Sequence, residues 1–209
     1  MDRLACVDVI ALPLQLLLRR HPDWPGRPVA VVAEDRPQGL IRHVNREARR
    51  RAVLPGMRYG AALALAADLR AGEVDDAEVE AGVAQIGEVL GRFSPRIEPS
   101  RHEPGIFWLD VSGLDHLFPV IADYTTSVRA ALAAIGLDAW VVAGFGRFGT
   151  AAIARALATL HVAGASVAGA SVAGASVAGE PATSSAKGRG RSTSRSGRRV
   201  TATARAFEP

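Results

Sequence analysis

The sequence has little of what several classes of protein are built on. It holds one cysteine, Cys6, in 209 residues, so no disulfide can form within the chain, and the composition fits a reducing compartment, the cytoplasm. Cys6 lies in an apolar run and reads as core, not as a nucleophile. The five histidines, His21, His43, His102, His116 and His161, have no zinc-type spacing among them. The apolar run 11–18 is far too short to span a bilayer, which takes about 20 residues. Asp2 and Arg3 are followed only by a strand-length apolar run, which is not a signal peptide. Nor does the body carry an excess of positive charge. Residues 180–209 hold seven basic residues and two acids, while 1–179 hold 18 basic and 19 acidic, so the net +4 belongs to the tail. A charge argument for nucleic-acid binding therefore does not extend to the folded part.

What is present up to about residue 160 is globular in character. Short runs rich in Val, Ile and aromatics, with turn residues beside them, predict strands at 4–10, 27–33, 39–44, 105–111 and 139–145. Helical spacing appears at 75–93, where Val79, Val83, Ile86, Leu90 and Phe93 share a face behind an N-cap at Asp75 or Asp76. It appears again at 121–135 through Tyr124, Val128, Leu132 and Ile135, and more briefly at 45–53, 60–69 and 149–160. Trp108 and Trp140 read as core, and Trp24, between Pro22 and Pro25, as a turn aromatic.

Asp8 is the anomaly of the first strand. A carboxylate among Cys6, Val7, Val9 and Ile10 is costly to bury unless it is paired, hydrogen-bonded or metal-bound. The order of elements predicts an α+β, ferredoxin-like sheet, antiparallel or mixed, with helices on one face. Strands 4–10 and 105–111 can then be neighbours, and a partner for Asp8 is expected between Glu103 and Asp110.

Several motifs, in order, carry a resemblance: "CVDV" at 6–9, "GRPVAVV" at 26–32, "VNREARRRAVLPGMRYGAAL" at 44–63, "FSPRIEPS" at 93–100 followed by "FWLDVSG" at 107–113, and "VVAGFGRFGTAAIAR" at 141–155. Together they resemble the N-terminal part of Y-family DNA polymerases of the UmuC/DinB kind, over roughly residues 3–160, and most of all the catalytically degenerate ImuB-type translesion proteins. The resemblance implies a polymerase palm at 1–12 and 73–160 with a small inserted finger subdomain at 13–72. It implies a metal-binding role for the position of Asp8, and a triphosphate contact at Arg49, with Arg46 and Arg50 beside it able to hold phosphate. Arg147, at the turn into the last helix, is a candidate for the DNA backbone.

The departures from the family are as informative. Active members carry two adjacent acids ahead of the small-aromatic-Leu-Asp run; those places hold Gly105 and Ile106 here. Pro13 stands near the place of the aromatic gate, Arg46 near that of the finger tyrosine, and Phe148-Gly149 in place of Asn-Lys. Two-metal phosphoryl transfer needs several carboxylates converging on Mg²⁺. Asp8 then reads as a vestige, Glu103 as a weak substitute ligand and Asp110 as a turn acid. No cofactor is expected, and Mg²⁺ only with residual polymerase activity. Gly144, Gly146 and Gly149 form G-x-G-x-x-G after a strand, but no acid follows at the distance a dinucleotide site needs.

Beyond 160 the five-residue unit AGASV repeats through 161–179, followed by an Arg/Ser/Gly-rich tail at 180–209 that is expected to be disordered. Arg189, Arg191, Arg198 and Arg199 would serve a nucleic-acid-binding arm. The competing reading is replication slippage and a shifted frame, which makes the chain a truncated product. Three functions stand open: a non-catalytic adaptor of error-prone translesion synthesis; an active DNA nucleotidyltransferase using Asp8, Glu103 and Asp110; and a DNA-binding protein acting through its tail. The resemblance implies DNA, the sliding clamp, an error-prone C-family polymerase and a RecA-like accessory protein as partners, and no membrane.

Overall fold

The computed structural model describes residues 3–144 and 146–163. Its main sheet has four strands in the order β5-β6-β1-β7, where β1 is Leu4–Asp8, β5 Ile97–Pro99, β6 Ile106–Asp110 and β7 Trp140–Gly144. Every pairing is antiparallel: Cys6 lies opposite Trp108 on one side and Val142 on the other, and Asp8 opposite Ile106 and Trp140. With α4 (Asp76–Leu90) between β1 and β5, and α5 (Ile121–Ala134) between β6 and β7, this is the split βαββαβ, ferredoxin-like order.

Alternation along β1 divides the sheet into two faces. Ala5, Val7 and Val9 point into the main core with Phe107 and Leu109, and α4 and α5 close it through Ile86, Leu90, Tyr124, Val128 and Leu132. Asp75 begins α4 by accepting a 2.7 Å hydrogen bond from the Glu78 N–H, the expected N-cap. Cys6 points the other way, with Val142, Ile106 and Trp108, and this face is covered by α6 (Arg147–Ala163) through Ala151, Ala154 and Leu157. The expectation of helices on one face is thus corrected: the apolar residues alternate on both sides of β1, so both faces are packed.

A second, three-stranded sheet lies within 13–72, in the order β3-β2-β4: β2 Val29–Val32 runs antiparallel to β3 Ile41–Val44 and parallel to β4 Arg70–Gly72. With α2 (Arg46–Arg50) and α3 (Tyr59–Leu65) it encloses its own core of Ala30, Val32, Ile41, Val44, Ala48, Val53, Ala62 and Leu69. Asn45 ties it together. Its side-chain oxygen accepts from the N–H of Ala48, capping α2, and from that of Val29, while its amide donates to the Arg27 carbonyl. Helix α1 (Leu12–Arg20) bridges the two parts: Leu12 and Leu16 enter the main core, while Leu14 and Leu17 meet Val29 and Val31 in a separate small cluster on the other face of β2.

The structure adds α1, β4 and β5 to the elements predicted from sequence and shortens the predicted helix 60–69 to end at Leu65. The last helix starts at Arg147 and reaches Ala163, three residues into the repeat segment. The rest of the repeat and the basic tail, with Arg189, Arg191, Arg198 and Arg199, lie outside the described residues. No helix among the described residues is long and apolar enough to cross a membrane.

Candidate functional site

Asp8 closes β1 on the α6 side of the sheet, two residues beyond Cys6. Its neighbour across β6 is Ile106, and just before Ile106 the chain turns through Glu103 and Gly105. The turn is pinned to β1, since the Val9 N–H donates to the Gly105 carbonyl at 2.8 Å. Gly105 is buried with φ +101°, and a Cβ there would stand 2.7 Å from the Val9 carbonyl oxygen. An L-residue is strained at such a φ and finds no space. Gly105 therefore admits no side chain in this backbone, and Ile106 beside it is apolar.

Charge around Asp8 comes from α6. Arg155 forms an ion pair with Glu103 and acts electrostatically on Asp8. Burial raises the Asp8 carboxyl above its ordinary range, and Arg155 pulls it partly back. The thiol of Cys6 is pushed up to about 12, first by burial and then by the charge of Asp8, so it is protonated and unreactive.

Asp110 lies at the far end of the same strand pair, opposite Leu4, roughly 13 Å along the strands from the level of Asp8. Its carboxylate accepts a 2.9 Å bond from the Ser112 N–H and faces Arg96 at 3.6 Å. The bonds from Ser112, with Arg96 assisting, hold it below the usual carboxylate range. Asp8, Glu103 and Asp110 thus do not converge, and among the described residues no three His, Cys, Asp or Glu side chains are placed to hold a metal ion together. The donor set does not fit a two-metal centre.

Arg46, Arg49 and Arg50 on α2 and Arg51 just past its end are all exposed, and Arg51 pairs with Asp68. Arg147, half-exposed, grips Glu98 of β5 through two hydrogen bonds of 2.6 and 3.1 Å and lies over the Trp108 ring at 4.8 Å. The glycine run ahead of α6 makes room for Thr150. A Cβ on Gly144 would sit 2.5 Å from the Thr150 hydroxyl, which donates to the Gly146 carbonyl at 2.7 Å. Gly144 is thus required for the close packing of Thr150 at the entry to α6.

Sequence reasoning missed Arg155, Glu98 and the charge of the insertion. The signal for Arg155 was present: Arg147 and Arg155 stand eight apart in a helix otherwise rich in Ala, near enough to two full turns to share a face. The insertion 13–72 holds eleven arginines against five acids, which a charge count over the whole body conceals.

Residues 7–155 match the impB/mucB/samB family. No curated protein matches. Among solved structures, DinB from Sulfolobus solfataricus is similar at 19% identity and a TM-score of 0.63, over 75% of this chain and 45% of that one. The insertion ternary complex of Dbh DNA polymerase is similar at 18% identity and a TM-score of 0.62, over 75% and 45%. A Y-family DNA polymerase chimera of Dbh and Dpo4 is similar at 19% identity and 0.59, over 68% and 42%. The shared feature is the fold, and the chain spans less than half the length of each of these structures.

Proposed function

Because the chain belongs to the impB/mucB/samB family, we propose that it acts in DNA-damage tolerance as a polymerase-like adaptor without nucleotidyl-transfer chemistry. The observation that carries this reading is the environment of Asp8: Ile106 opposite it, Gly105 with no room for a side chain, and Glu103, in the turn just before Gly105, paired with Arg155. Transfer of a nucleotide by two metals requires carboxylates on both sides of the ions to hold them and to stabilise the developing alkoxide and the leaving pyrophosphate. One aspartate beside an arginine supplies neither.

In this reading residues 1–12 and 73–160 form a vestigial palm and 13–72 a fingers-like insertion. Arg46, Arg49 and Arg50 are offered to phosphate, the chemistry for which an exposed arginine cluster is suited. DNA is the proposed ligand, and the Dbh structures are named for complexes of a DNA polymerase. The resemblance to ImuB-type proteins adds the sliding clamp, an error-prone C-family polymerase and a RecA-like accessory protein as proposed partners. The test is primer extension by the purified chain with Mg²⁺ and with Mn²⁺, on undamaged and abasic templates. The expected result is no incorporation above background in wild type or in Asp8→Ala. Extension that disappears in Asp8→Ala would overturn the adaptor reading in favour of an active nucleotidyltransferase.

A further inference from the structure

We draw no further inference here: the strongest candidate, the apolar loop between β6 and α5 in which Leu117 is 73% and Val120 53% exposed, carries nothing, because nothing in the structure shows what covers it.

Discussion

Two single positions show how local physics constrains this fold. Tyr124 is completely buried between Phe118 and Phe93, whose rings meet it edge-on at 5.2 and 6.4 Å. Its hydroxyl has no hydrogen-bond partner among the described residues. A hydroxyl taken out of water and left unpaired costs about 1–3 kcal/mol, and phenylalanine keeps the ring and its contacts. Tyr124→Phe should therefore stabilise the protein, by about 1 kcal/mol in urea unfolding. Gly105 predicts the opposite sign. A methyl group there meets the Val9 carbonyl at 2.7 Å on a backbone with φ +101°, so Gly105→Ala should destabilise by about 2 kcal/mol or more. Gly105→Asp should lose stability and gain no metal, because the backbone that would have to carry the acid is the one that rejects a Cβ. The missing acid at 105 was visible in the sequence. The reason it cannot simply be put back was not, because it depends on a carbonyl nearly a hundred residues away.

At the scale of elements, legibility followed burial pattern. Strands β1, β2, β3, β6 and β7 were readable as short runs rich in Val, Ile and aromatics, and helices α4 and α5 because each buries apolar residues at helical spacing. Helix α1 was not. It packs one side into the main core and another against the small sheet, so its apolar residues spread over a sector wider than a single stripe and read as a short apolar run. Strands β4 and β5 have three residues each, too few for alternation to register. β3 carries a prediction of its own. Burial, then the neighbouring charge of Arg42, holds His43 below the ordinary imidazole value of 6.5. The folded protein therefore binds this proton less readily than the unfolded chain does. Its contribution to stability is complete above pH 6.5 and is lost as pH falls through the lower, folded value. Between pH 7.5 and 5, wild type should lose more Tm than His43→Gln, whose side chain does not titrate. Equal losses in the two proteins would mean that His43 is as free to protonate folded as unfolded.

At the scale of the whole molecule the controlling quantity is where the charge sits. A count over 1–179 makes the body nearly neutral beside a basic tail, and that count averages over two unlike parts. The insertion 13–72 has eleven basic residues and five acids, while 73–179 has six basic and twelve acidic. The palm-like part is thus acidic, which disfavours a broad electrostatic grip on DNA by that part. Polyanion affinity should divide between the insertion, where Arg46, Arg49 and Arg50 are exposed, and the tail at 180–209. Each phosphate neutralised contributes roughly 0.9 to the slope of log K against log salt on duplex DNA. Fluorescence anisotropy with a duplex probe between about 50 and 200 mM salt would separate the two contributions. Deleting 180–209 should make the slope shallower while leaving measurable binding. Replacing Arg46, Arg49 and Arg50 with alanine in that deletion should then remove most of what is left. If the deletion alone abolishes binding, the affinity belongs to the tail and α2 is a solvated face. If the triple replacement flattens the slope in the full chain as much as the deletion does, the insertion is a DNA-contacting element in its own right, as the adaptor reading requires.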